Sequence, residues 1–220
     1  VALTCVVIGL GGIGTALAEA LEAQGARVAR LGRPRLDLLE EASIAAAAAG
    51  LGGDLDLVLD ATGLLHAPGL QPERALRQID PARMAHSFAI NAIGPALLMK
   101  HFLPLLAANR RAVFATLSAR VGSIADNRLG GWYSYRASKA ALNQLVRTAA
   151  IELARTRPAA ICVALHPGTV ATGLSQPFAK PGLEVQAPAL AAARLLAVIA
   201  GLTPAESGGF FDHLGKPIPP

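Results

Sequence analysis

Short apolar runs rich in β-branched residues alternate with alanine- and leucine-rich stretches of helical period along almost the whole chain. That alternation, more than any other feature, limits what the chain can fold into. "LTCVVIG" ends in glycines and is followed by "TALAEALEAQG", whose helical pattern closes at Gly25. "ARVARLG" reads as a second strand and "RLDLL" as a short third one, with too few residues between them for a helix. "EEASIAAAAAG" is then a helix ending at Gly50, and "DLDLVLDATG" a strand running into a glycine turn. In "DPARMAHSFAINAIGPALLMKHFLPLL" Asp80 stands as an N-cap with Pro81 at the first helical position, and Pro95 and Pro104 are where this long helix would bend. "RAVFATLS", "AAICVALHPG" and "GGFF" read as the remaining strands, with "YSYRASKAALNQLVRTAAIELART" and "APALAAARLLAVIAG" as helices between them. Parallel strands need helical crossovers, so the expected fold is α/β: a doubly wound parallel sheet of about seven strands with helices on both faces.

No Ser-, Pro- or charge-rich linker divides the chain, and residues 1–220 are expected to form a single domain. Charged residues make up 16% and aromatics 4%, which suits a sheet buried under helices better than an aromatic-rich β-sandwich. The formal charge of +5 would attract polyanions, but the arginines are scattered without a basic run or interleaved aromatics, so nucleic acid is not an expected partner. Cys5 and Cys162 sit inside apolar strands and read as buried free thiols, neither a disulfide nor a metal site. The opening residues lack a basic leader, and no uncharged apolar run reaches roughly 18 residues. A cytoplasmic protein without membrane association is the expectation.

Gly9, Gly11 and Gly14 in "GLGGIG" satisfy GxGxxG and lie between the first strand and its helix. A glycine-lined turn lets the backbone approach a pyrophosphate, and the helix start at Gly12 and Ile13 offers free N–H groups and the positive end of its dipole. An acid closing the second strand would bind the ribose of NAD, whereas an arginine accommodates the extra phosphate of NADP. Here the strand closes in "RLGRPR", with Arg30, Arg33 and Arg35 and no acid, so NADP(H) is favoured over NAD(H).

Tyr133 and Tyr135 both precede Lys139. A helical residue turns by about 100°, so Tyr135 and Lys139 share a face while Tyr133 and Lys139 do not. An ammonium beside a phenol stabilises the phenolate and brings its pKa down toward neutrality, which would let Tyr135 exchange a proton with a carbonyl oxygen. Trp132 and Tyr133 are then pocket wall or packing.

Taken in order, the glycine turn, "RLDLL", "DATG", "NAIG", the strand ending in "LSA", "YRASK" and "HPGTVAT" resemble the short-chain dehydrogenase/reductase family from end to end. Within it the chain is most similar to the compact C-factor-like branch and its small carbonyl-reductase relatives. The resemblance implies a Rossmann-like sheet, a nicotinamide cofactor, a small carbonyl or alcohol substrate and a homodimer or homotetramer. By position, Tyr135 would be the acid/base, and Lys139 would bind the nicotinamide ribose and depress the tyrosine pKa. Asn91 would hold a water of the proton relay, Asp37 and Leu38 would lie against adenine, and Ala61, Thr62 and Gly63 would form the turn beside the cofactor. Thr172 would orient the carboxamide with Pro167, Gly168 and Val170 beside it, and residues 173–186, including Phe178, would form a flap over the substrate.

The pattern also departs from the family. The first turn is one residue short, "DATG" replaces NNAG and so loses an asparagine brace at Ala61, and the helix usual between the second and third strands is missing. The Ser-Ser-x-x-Gly motif appears as "LSARVG", with Ala119 where the catalytic serine belongs. Ser118 is the candidate replacement, although neighbouring strand residues point to opposite faces; Ser123 is the other. This departure leaves a second function open, a nucleotide-bound C-factor-like signalling or scaffold protein with little turnover.

Overall fold

The computed structural model describes residues 2–175 and 185–220. Strand β1 (Thr4–Ile8) leads into helix α1 (Gly12–Ala23), followed by β2 (Arg27–Leu31), α2 (Glu41–Ala49) and β3 (Leu57–Asp60). Helices α3 (Pro81–Phe88) and α4 (Gly94–Phe102) precede β4 (Ala112–Leu117), and the long α5 (Tyr133–Thr156) precedes β5 (Ala160–His166). The short strands β6 (Thr169–Val170) and β7 (Val185–Gln186) pair with each other, then α6 (Pro188–Gly201) returns the chain to β8 (Phe210–Asp212). The main sheet is wholly parallel, in the order β2-β1-β3-β4-β5-β8.

This is the expected doubly wound, Rossmann-like α/β architecture, with one correction. Among the described residues the main sheet has six strands rather than about seven, because "RLDLL" is a turn. Leu36 donates its N–H to the Gly32 carbonyl and buries its side chain at 3% exposure, and Asp37 Oδ1 accepts from the Leu39 N–H at 3.0 Å. A third strand at this edge would need its own crossover from β2, which a handful of residues cannot make. β2 is therefore the edge.

Side chains alternate across the sheet as the pleat dictates. Val6, Val58, Phe114 and Cys162 face a core built by α2, α4 and α5 with Ile44, Leu98, Phe102 and Leu142. Cys5, Val7, Leu59 and Val163 face the opposite core, with Leu17 and Leu21 of α1 and Leu195 and Ile199 of α6. Cys5 and Cys162 are both buried and free, and they lie on opposite faces.

The long helical run from Pro81 to Leu105 is apolar and long enough to cross a membrane by composition, but here Leu98, Met99 and Phe102 bury its apolar side on the sheet. Asp80 caps it as expected, Oδ1 accepting from the Arg83 N–H at 2.9 Å. Between α3 and α4 the helix widens into a π turn at Ala89–Ile93. Pro95 has no N–H to give the Asn91 carbonyl, so the regular ladder is interrupted here.

Candidate active site

β1 and β3 are neighbours, yet their chains leave toward opposite edges of the sheet. A crevice opens beyond their carboxyl ends at such a point. Its floor is the glycine turn. Gly9 has φ +88°, and a Cβ added to Gly14 would fall 1.8 Å from the Gly9 carbonyl oxygen, so neither position admits a side chain. Gly11 is the N-cap of α1, without a capping side chain and with no acid in the first turn. A Cβ at Gly11 would meet nothing within 4 Å. The turn is thus open at Gly11, next to the first N–H groups of α1 at Gly12, Ile13 and Gly14, and an open helix start without an acid fits an anionic group such as a pyrophosphate.

Around that turn the expected residues come together. Thr62 lies against Gly9 and Thr172 against Gly12, each with a methyl group 2.9 Å from where a Cβ would stand. Gly63, in the same turn as Ala61, faces the Lys139 ammonium and the Asn91 amide oxygen. Leu38 packs against Gly94 at the start of α4. Gly168 (φ +76°) makes the turn between β5 and β6, and Gln186 donates to the Pro167 carbonyl at 2.6 Å while Val170 pairs with it in β6–β7. On the far rim Arg30 is engaged by Glu22 of α1 at 2.6 and 2.9 Å, whereas Arg33 and Arg35 stand exposed beyond β2. Residues 176–184, including Phe178 of the expected flap, lie outside the described residues.

Tyr135 and Lys139 sit one turn apart on α5, both buried, at 9% and 2% exposure. Lys139 Nζ donates to the Leu117 carbonyl at the end of β4, at 2.8 Å. Burial pulls its pKa down to about 8, against the upward pull of the Asp60 carboxylate. Burial pushes the Tyr135 phenol well above its usual range. The expected lowering of the phenol by its ammonium neighbour is therefore reversed in this structure: desolvating the phenolate outweighs any attraction to Lys139. At neutral pH the pair is a neutral phenol beside a largely protonated ammonium.

Asn91 is fully buried in the wide turn and uses its whole amide. Oδ1 accepts from the Leu64 N–H at 2.8 Å, and Nδ2 donates to the Leu64 carbonyl at 2.7 Å and to Ser138 Oγ at 3.2 Å. Ser138 in turn donates to the Tyr135 carbonyl at 2.9 Å. The side chain thus ties the turn after β3 to the helix that bears Tyr135.

Both candidate serines are hydrogen-bonded to groups other than Tyr135. Ser118 Oγ donates to Asn143 Oδ1 at 2.6 Å, two helical turns beyond Tyr135 and so about 12 Å further along α5. Strand alternation sends it there, the orientation that "LSA" implies. Ser123 accepts from the Asp126 N–H at 3.0 Å and donates to the Pro220 carbonyl at 3.4 Å, so it closes a loop. Neither hydroxyl is directed to Tyr135.

Three further groups escaped sequence reasoning. Asp60, 1% exposed, accepts from Thr116 Oγ1 at 2.6 Å, from Thr62 Oγ1 at 2.5 Å and from the Thr62 N–H at 3.0 Å. Asp60 and Thr116 are direct register partners of β3 and β4, so this bond supplies the cross-strand brace lost with the asparagine. Burial raises the Asp60 pKa, opposed by the threonine hydroxyls and Lys139. An acid closing the apolar run "LVLD" was the available signal. Asn143, on the face of α5 that holds Lys139, and Glu73, which bonds to Ser134 at the start of α5, gave none.

Such a sheet, with its glycine turn and its tyrosine and lysine one turn apart, defines a Rossmann-like α/β protein. A family model described as enoyl-(acyl carrier protein) reductase matches residues 34–197. The chain is 42% identical over 147 residues to C-signal of Myxococcus xanthus, covering 66% of this chain and 83% of that one. To 1-hydroxy-2-glutathionyl-2-methyl-3-butene dehydrogenase of Rhodococcus sp. (strain AD45) it is 35% identical over 181 residues, covering 82% and 76%. The NADPH-bound carbonyl reductase from chicken fatty liver superposes with a TM-score of 0.82 at 25% identity, over 99% of this chain and 94% of that one. The chain belongs to the short-chain dehydrogenase/reductase family of oxidoreductases.

Proposed function

We propose that the chain is an NADPH-dependent reductase or dehydrogenase acting on a carbonyl or secondary alcohol, with Tyr135 as its acid/base. The observation that carries this reading is the burial of Tyr135 and Lys139 on one face of α5, with Lys139 at the end of β4 beside Gly63 and Asn91. The open cradle at Gly11 supports a bound dinucleotide, and the bound NADPH of the chicken carbonyl reductase agrees with it.

In this reading the turn from Gly9 to Gly14 cradles the pyrophosphate: Gly9, whose N–H is given to the Leu31 carbonyl, and Gly11 let the backbone approach, and the N–H groups at Gly12, Ile13 and Gly14 bind it. Arg33 receives the 2′-phosphate, since Arg30 is engaged by Glu22. Asp37 and Leu38 flank adenine, and Ala61, Thr62 and Gly63 border the ribose side. Lys139 holds the nicotinamide ribose, and Pro167, Gly168, Val170 and Thr172 hold the carboxamide end. The nicotinamide, when bound, supplies or accepts the hydride. Tyr135, a neutral phenol at neutral pH, donates its proton to the carbonyl oxygen in reduction and recovers it through Lys139. Asn91, its side chain engaged at Leu64, contributes to the relay through its main chain. Ser118 braces the end of β4 on α5, and neither Ser118 nor Ser123 assists Tyr135.

Residues 1–220 act as one domain, in the cytoplasm, as a homodimer or homotetramer on a small, largely apolar ketone or alcohol. Titration with NADPH and NADH, followed by NADPH consumption over a panel of ketones and aldehydes, tests the reading. Turnover with tighter NADPH than NADH binding is expected; failure to bind either nucleotide contradicts it.

A further inference from the structure

Gly130, Gly131 and Trp132 have φ of +62°, +66° and +54°, three successive left-handed residues immediately before α5. Holding a bulky residue in that region costs about 1–3 kcal/mol, so its surroundings must enforce it. Trp132 is the N-cap of α5 yet makes no side-chain capping bond, and the first turn has no acid of its own. A helix of 24 residues therefore begins without a side-chain cap or an acid of its own.

Glu73 supplies an acid from 61 residues away. Its Oε2 accepts from the Ser134 N–H at 3.1 Å, its Oε1 accepts from the Ser134 hydroxyl, and its main-chain carbonyl accepts from the Trp132 N–H at 2.5 Å. Glu73 and Ser134 are 7% and 6% exposed, so these bonds are sheltered from water, and the carboxylate faces the positive end of the helix. Tyr135 is the next residue. Its ring meets that of Trp132 edge-on, centroids 6.2 Å apart, and it lines a small cavity together with Leu70, Pro72 and Glu73.

We propose that Glu73 is a positioning residue for Tyr135, a clamp from the loop after β3 that fixes the first turn of α5 and with it the phenol. The proposal rests on the reading of Tyr135 as the acid/base. Glu73→Ala should lower kcat by on the order of tenfold to a hundredfold, the penalty for a slightly misplaced reacting group. KM and the NADPH Kd should stay within about twofold, and Glu73→Gln, which keeps an acceptor oxygen, should restore most of kcat. Trp132 is the only tryptophan, so its emission reports on this turn without any substrate. It should shift in Glu73→Ala and return in Glu73→Gln. Should Glu73→Ala not fold, Ser134→Ala, which deletes only the hydroxyl bond, must still lower kcat without moving KM. Unchanged kcat in the folded variant, or loss of kcat, KM and Kd together, overturns the clamp. Should the wild type turn over no substrate, the reading of Tyr135 fails instead. The emission spectra still decide on Glu73: a shift reversed by glutamine supports the clamp, and identical spectra overturn it.

Discussion

Burial raises the Tyr135 phenol further above the neutral range, where an ordinary phenol is already protonated, so the pH behaviour of the proposed reaction falls to its neighbour. A phenol pushed upward stays a proton donor throughout the neutral range, so carbonyl reduction should need no deprotonation of Tyr135. Lys139, with its pKa drawn down to about 8, is an ammonium below that pH and loses its charge above it. The reduction rate should therefore be flat through neutrality and fall as pH rises past about 8; a profile still flat well above that value would contradict the role given to Lys139. The serines make a second residue-scale prediction. Ser118→Ala and Ser123→Ala should each keep kcat within about threefold of wild type, while Ser118→Ala loses about 1 kcal/mol of stability by leaving Asn143 without its donor. A kcat loss of about a hundredfold in Ser118→Ala would show that the strand end twists its hydroxyl toward the phenol during turnover. At the cofactor rim, Arg33→Ala should weaken NADPH binding by on the order of tenfold and leave NADH binding alone, as expected for one charge-assisted contact to a phosphate. Calorimetric titration with both nucleotides reads the difference.

At the scale of elements, the helices α1, α2, α5 and α6 were legible in the sequence because a helical apolar period and a glycine or charged stop agree at each. "RLDLL" was not. Its alternating leucines fit a strand, but the same pattern arises when one leucine of a turn is buried and its neighbours are not, as at Leu36. The pairing of Tyr135 with Lys139 could be read because both lie on one helix. Leu117 and Glu73 could not, because they arrive from other elements and no local spacing records them, and Asn91 was legible only through the family resemblance. The sheet brace belongs to this scale as well. Thr116→Val removes the hydroxyl that bridges β4 to the buried Asp60 of β3, so unfolding in urea should reveal a loss of about 1–3 kcal/mol. A neutral substitution would mean that Asp60 is protonated and needs no donor there.

For the whole molecule, the closure of the sheet at its β5–β8 edge carries a pH signature. His166, at the end of β5, is registered beside Asp212 of β8 and has Arg120 and His213 close by. Among the described residues, Nδ1 of His166 and of His213 are buried polar atoms without a partner. Burial, aided by Arg120 and His213 and opposed by Asp212, draws the His166 pKa down to about 4 from 6.5. Between those values the unfolded chain binds a proton that the folded chain refuses, so stability is complete above the unfolded pKa and is lost as pH falls from 6.5 toward 4. The loss attributable to His166 is of order 3 kcal/mol at most, and His166→Gln should flatten the dependence of urea midpoint on pH. An unaltered slope would assign the acid sensitivity to other groups.

The central claim is that a buried, protonated Tyr135 passes its proton to a carbonyl oxygen beside a bound dinucleotide. The most direct measurement is NADPH consumption by wild type and Tyr135→Phe with a ketone that the wild type reduces, alongside NADPH titration of both. Turnover should fall by about a hundredfold to ten-thousandfold in the variant while NADPH binding is kept. Equal turnover in the two proteins, or tight NADPH binding by a wild type that reduces no ketone or aldehyde, would contradict the account.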